Sequence, residues 1–275
     1  MSSILTNSSA MTALQTLKSV NKGLNETQAR VSTGLAISSG KDNAAYFAIS
    51  ETMKGDSNMF KAINEGLTAK TNSVSTARLG AETVKDLASE FTERVAFAQN
   101  ANDAESLASI QSELTDLVSQ IGNTINNATF NGESLVDSTD AVTVVTGIDR
   151  SGATLATTDF TFNEVDLGAI QTALAAIDVS TSTDLAADLV AAEGQLAAAV
   201  TAATSLGTTE KTLEGQQSFL GALTDTLDSG VSSMVDANME EEAARLQALQ
   251  VQQQLATQSL AIANQAPQNI LSLFR

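Results

Sequence analysis

The 275-residue chain has no cysteine, no histidine and no tryptophan, and it carries a single tyrosine, Tyr46, and a single proline, Pro267. Without thiol or imidazole, disulfides, ordinary zinc sites, cysteine nucleophiles and histidine-based triads are excluded. Only carboxylate, lysine and hydroxyl chemistry is left. The same scarcity of Cys and Pro keeps disulfide trapping and slow prolyl isomerisation out of refolding. Positive charge is also short: 14 Lys and Arg stand against 32 Asp and Glu, a net charge of −18. With no basic cluster to grip phosphate, neither nucleic acid nor an anionic membrane is an expected partner. No run of about 18 apolar residues reads as a bilayer span. The opening stretch MSSILTNSSAMTALQTLKSV has neither a basic leader nor a compact apolar segment before a small-residue cleavage site, so export is expected to proceed without an ordinary signal peptide.

What the chain does have is 43% apolar residues, enough to fold, arranged mostly at helical spacing. Leu14, Leu17, Leu24 and Val31 recur at steps of three and seven, predicting a helix over residues 3–32. Gly34 and Gly40, set among Ser and Thr, interrupt it. A second helix is predicted over 57–100, where Leu67, Val74, Ala77, Ala81, Val84, Leu87, Phe91, Val95 and Ala98 form a stripe. Leu107, Ile110, Leu114, Leu117, Ile121 and Ile125 mark a third, folding back on the second. Asn131-Gly132 is a hairpin-turn signal, and the Val-, Thr- and Phe-rich runs 141–148 and 155–162 predict a small β element within 129–165. Ala and Leu dominate 169–206, favouring helix. A last long helical zone carries Leu220, Leu223, Leu227, Val231 and Met234, then Met239, Leu246, Leu249, Leu260 and Ala263. The expected fold is mainly α: long helices forming a terminal coiled coil and a rod-like bundle, with a small β-hairpin element and a short outer region.

Both ends of the chain are thus amphipathic, where chain ends are usually polar and frayed. Leu249, Val251, Leu255, Leu260, Ile262, Ile270, Leu273 and Phe274 lie on more than one side of their helix and cannot all face one partner helix. At ~25 cal/mol per Å² of apolar surface, a few such side chains left wet forgo several kcal/mol, which points to another chain. The alternative is that these are core positions of a monomeric helical bundle, and periodicity does not choose between the two. The acidic run Glu240, Glu241 and Glu242 reads as a solvated or interface face, since consecutive helix residues point apart. No active site is expected. Asn7-Ser8-Ser9, Asn25-Glu26-Thr27 and Asn127-Ala128-Thr129 fit the N-glycosylation pattern, which also arises by chance.

The stretch ARVSTGLAISSGKDNAAYFAIS, residues 29–50, resembles the flagellin N-terminal signature, in which an Arg-Leu-Ser-Ser-Gly-like run precedes Asp-Asp-Ala-Ala-Gly and Ala-Ile-Ser. SLAIANQAPQNILSLFR, residues 259–275, is similar to the flagellin ending, and NATFNGESLV, residues 127–136, to the segment that closes the family's N-terminal half. Val235, Asp236 and Ala237 with Glu240 to Glu242 match its acidic C-terminal block. Asn43 replaces the second Asp and Tyr46-Phe47 the usual Gly-Leu, and the Tyr46 variant with the Phe274-Arg275 ending looks alphaproteobacterial.

The resemblance implies a structural protein that polymerises with itself into the filament of the bacterial flagellum, without cofactor, outside the cell. It implies three layers: residues 1–40 and 238–275 as an inner core coiled coil, 41–136 and 205–237 as a helical rod layer, and 137–204 as a variable outer region. The expected polymerisation residues are Leu14, Leu17, Leu24, Val31, Leu246, Leu249, Leu255, Leu260, Ile262, Ile270, Leu273 and Phe274, with Gly34, Gly40 and Asp42 in a core-to-rod linker. Implied partners are other copies of the chain, the flagellar type III export apparatus, hook-junction proteins and the filament cap. Two other readings are a minor hook–filament junction protein of the same export system and an adhesin or membrane-surface protein anchored by its apolar ends.

Overall fold

The computed structural model describes residues 7–101, 103–150 and 156–273, with side chains through residue 265. The chain divides into two compact units, Met1–Ser57 with Asp225–Arg275, and Asn58–Thr224. Among the described residues, six helices and two small hairpins follow in the order α1 (Ser8–Thr33), α2 (Ala44–Ala98), α3 (Ala104–Asn127), β1 (Thr129–Phe130), β2 (Glu133–Ser134), β3 (Ala141–Asp149), β4 (Ala156–Asn163), α4 (Leu167–Ala175), α5 (Leu185–Val235) and α6 (Met239–Leu273). Both α2 and α5 contribute to each unit.

The mainly α architecture matches the sequence expectation, with two corrections to helix bounds. Helix α2 begins well before residue 57, because Asn43 is its N-cap: Asn43 Oδ1 accepts from the amides of Ala45 and Tyr46 at 3.1 and 3.2 Å. Gly55 and Gly66 then sit in open space inside the helix; each costs ~1 kcal/mol relative to Ala, too little to end a packed helix. The Ala-rich zone 169–206 holds the short helix α4, a break, and then the start of the 51-residue α5, which runs on into the Leu-rich zone as far as Val235, where that zone breaks before α6. A third correction concerns hydropathy, since an 18-residue window of α5 reaches a mean of 1.3 and passes as a membrane span by length and composition alone. The helix is rich in alanine, which scores as apolar while offering little area, and although Ala192, Ala199, Ala202 and Leu206 are buried in the second unit's core, only 22% of that window is.

That core is a set of heptad seams. On α2, Leu67, Val74, Ala81, Ala88 and Val95 recur every seven residues, interleaved with Ala77, Val84, Phe91 and Ala98. On α5, Ala192, Ala199, Leu206, Leu213 and Leu220 do the same, and α3 supplies Ile110, Leu114, Leu117 and Ile121. Regular seams of this period hold neighbouring helices side by side. Two polar clamps tie α2 to α5. Arg78 Nε reaches Glu210 Oε2 at 2.5 Å while its Nη1 reaches Glu82 Oε1 at 2.7 Å, and Gln217 Nε2 donates to Thr71 Oγ1 at 3.1 Å.

Both hairpins lie in the second unit. Asn131 and Gly132 take φ values of 53° and 83°, the pair of positive angles that a tight type I′ turn between β1 and β2 requires. In the β3–β4 hairpin Val142 faces Phe162 and Val144 faces Phe160, with a bulge between Val145 and Gly147. At Gly147 a Cβ would stand 2.8 Å from Thr158 Oγ1, so the bulge admits only glycine without adjustment.

Candidate polymerisation interface

In the first unit α1 and α6 run antiparallel. Asn7 Nδ2 donates to the Ala263 carbonyl at 2.7 Å, and Gln253 Nε2 donates to Asn21 Oδ1 at 2.7 Å. Gly23 sits against the Leu249 side chain, and Arg30 pairs with Glu242 at 3.3 Å. Low numbers on one helix thus meet high numbers on the other along the whole pair. Asn7 caps α1 through its side chain, which accepts from Ala10 N, and Gly34 closes it in the left-handed conformation at φ 74°.

The seam has two strict heptad rows. On α1, Ala10, Leu17, Leu24 and Val31 alternate with Ala13, Val20 and Thr27, all of them buried or half-buried. On α6 the matching line is Glu242, Leu246, Leu249, Gln253, Ala256, Leu260 and Ala263. Of the expected interface residues, Leu17, Leu24, Val31, Leu246, Leu249 and Leu260 therefore sit in the contact between the chain's own two ends. Leu14, at 43% exposure, Leu255, at 59%, and Ile262, at 70%, lie off the seam and point outward. Val251 joins them on the outer side of α6. Ile270 and Leu273 are helical but their side chains are outside the described set, and Phe274 lies outside the described residues. Val20, Thr27, Glu242 and Ala256 belong to the seam yet are not among the expected polymerisation residues, Glu242 being marked only as part of the acidic run. Two of them are polar, one is a small alanine, and the signal that could have found them was the strict seven-residue row.

The expected linker is a backbone bridge. Ala36 N and Ile37 N both donate to the Val235 carbonyl, at 2.7 and 3.2 Å, and Ala237 N donates to the Gly34 carbonyl at 2.8 Å. Leu35 and Asp236 pair as an antiparallel bridge. Asp42 closes the turn, accepting from the amides and hydroxyls of Ser38 and Ser39 at 3.1–3.2 Å. The Ser38 amide bond is the main reason its carboxyl is held below the usual carboxylate range. The glycines differ. Gly34 needs its left-handed φ, whereas Gly40 does not adopt a positive φ and has only Phe47 Cδ1 near its Cβ direction, at 3.8 Å.

Comparison with known proteins now decides the family. Residues 4–141 match the bacterial flagellin N-terminal helical region, and residues 189–274 match the bacterial flagellin C-terminal helical region. A flagellin of Brucella melitensis is 39% identical over the whole of both chains. The chain belongs to the flagellin family. Flagellins FljM and FljK of Caulobacter vibrioides are 35% and 34% identical, covering all of this chain and 99% of theirs. Flagellins are structural filament proteins, so this one is a self-assembling filament subunit and not an enzyme, and the hook-junction reading is not favoured. In this flagellin the two matched regions contain the helices of the antiparallel pair, α1 in the first and α6 in the second.

Proposed function

We propose that the α1–α6 pair is the part of this flagellin that forms the filament's inner core, with residues 1–40 and 238–275 in that layer. Residues 41–136 and 205–237 then form the surrounding rod layer, and 137–204 face outward. The assembled filament is extracellular, and the chain reaches it through the flagellar type III export apparatus, growing between hook-junction proteins and the filament cap. The observation that carries this reading is the apolar surface left on the outer side of α6 at Val251, Leu255 and Ile262, after the seam has used Leu246, Leu249 and Leu260. Side chains of that size left in water forgo several kcal/mol at ~25 cal/mol per Å². A subunit–subunit contact that does not close on itself recovers that energy and propagates as a helical filament.

The test separates outer face from seam. A Leu255→Ser, Ile262→Ser double variant leaves the seam intact, so its monomer is expected to keep wild-type helicity while failing to elongate seeded filaments. Removing residues 250–275 is expected to leave a soluble, partly helical monomer that also fails. Normal filaments from either protein would overturn the proposal.

A further inference from the structure

Tyr46 continues a line of side chains that the rest of its line has already buried. At ~100° per residue, positions 46, 50, 53 and 57 fall on one face of α2. Ser57 Oγ donates to Asp228 Oδ1 at 2.7 Å, Met53 Cε lies 2.9 Å from the Cβ direction of Gly230, and Ser50 and Ser57 are fully buried. That face is therefore packed against the end of α5 at Ser57 and Met53, and it stays buried as far as Ser50. One turn earlier α5 has ended, at Val235. Tyr46 is left 49% exposed and Ile49, on the adjoining side of the same turn, 50% exposed.

We infer that Tyr46 and Ile49 form a docking face for a second copy of this chain, so that assembly completes the stripe that α5 leaves unfinished. The inference rests on the reading of the chain as a self-polymerising subunit. The occupant follows from the surroundings. The same compact unit carries outward-facing Met11, Leu14, Val251, Leu255 and Ile262, so a neighbouring copy presents apolar side chains of the kind that a phenol ring and an isoleucine pack against. The face is also held in place before docking. Asn43 caps the helix beneath it, Asp42 pins the preceding turn, and the Val235 carbonyl holds Ala36 and Ile37. Little conformational freedom is left to lose when it docks. A tyrosine suits such a place because its ring buries area while its hydroxyl remains at the wet edge.

Tyr46 is the only tyrosine and the chain has no tryptophan, so intrinsic tyrosine emission reports this one site. Full-length monomer and seeded filaments are compared by acrylamide quenching of that emission. The quenching constant is expected to fall at least about threefold on assembly, as the ring loses its solvent contact. In parallel, Tyr46→Ala is expected to raise the critical concentration for elongation about tenfold, with unchanged monomer helicity, while Tyr46→Phe stays within about twofold of wild type. Filaments whose tyrosine is quenched as readily as in the monomer, or a Tyr46→Ala protein that elongates normally, overturn this inference and leave the filament reading standing. A wild-type chain that forms no filaments from seeds overturns the filament reading itself, and this inference with it.

Discussion

Arg30 Nη1 stands 3.3 Å from Glu242 Oε1 across the α1–α6 pair, and Arg245 reaches the same oxygen from one turn along α6 at 3.4 Å. The Glu242 side chain is only 8% exposed, while Arg30 is about a third exposed, so the pair is worth more than a surface ion pair and less than a dry one. Its position on the seam means that the carboxylate holds the two ends of the chain together at the point where they leave the linker.

Replacing Glu242 with Ala is expected to loosen the pair by roughly 1–2 kcal/mol, because two guanidinium groups lose a common acceptor at a mostly buried site. Glu241→Ala removes only the exposed partner of Arg245 and is expected to cost under about 0.5 kcal/mol. Amide hydrogen exchange at Val20 and Ala256, both on the seam, reads the difference. Equal effects of the two substitutions would count against a special role for Glu242.

The linker glycines are expected to respond in opposite ways. Gly34→Ala forces an L side chain into φ 74°, which costs about 1 kcal/mol and weakens the cap of α1. Gly40→Ala meets only an ordinary contact with Phe47 and is expected to be neutral or slightly stabilising through the unfolded chain. Urea unfolding midpoints of the two monomers decide the matter, and a larger loss at Gly40 would contradict the assignment.

In the second unit, Gly80 and Gly207 make a similar contrast. A Cβ at Gly80 would stand 2.6 Å from Ala128 Cβ, so Gly80→Ala must push α2 away from the end of α3, at an expected cost of roughly 1–3 kcal/mol. At Gly207 the nearest atom is Arg78 Cδ at 3.6 Å. Gly207→Ala is therefore expected to gain about 0.5–1 kcal/mol of helix propensity. Thermal melts should move in opposite directions, by a few degrees each.

Acid is expected to undo the turns and caps before the seams. Asp42, Asp103 and Asp178 all have carboxyls held below their ordinary value of 3.8: Asp42 chiefly by the Ser38 amide, Asp103 by its bond with Ser106 at the start of α3, and Asp178 by the Ser180 hydroxyl. A folded-state pKa lowered in this way contributes stability above the unfolded value, and that stability is lost as pH falls through the folded value. The loss should thus begin below about pH 4 and be absent at neutral pH. A variant with Asn at all three positions should start with slightly lower stability at pH 7 and show a shallower decline in far-UV circular dichroism between about pH 4 and pH 2. A decline as steep as that of the wild type would assign the acid sensitivity to other groups.

Much of the architecture was legible because seven-residue rows are written plainly in leucine, isoleucine and valine. The stripe from Leu67 to Ala98 and the Asn131-Gly132 turn appear as expected, and α3 closes at Asn127 where its stripe runs out. What escaped notice was carried by residues whose role is set by partners distant in sequence. The start of α2 is set by the Asn43 cap rather than by its apolar stripe, and the acidic run left open whether Glu242 faces solvent or an interface until Arg30, far away in the chain, is seen to cover it. The candidate interface was half legible for the same reason. Periodicity shows that Leu249 and Leu255 are both apolar, but only the antiparallel partner shows that Leu249 faces α1 and Leu255 faces outward.

The Val235 carbonyl accepts from two successive amides, Ala36 and Ile37, while Ala237 returns a bond to Gly34. All three bonds run between backbone groups. A side chain in the joint can therefore be exchanged without removing any of them, so long as the left-handed turn at Gly34 is kept.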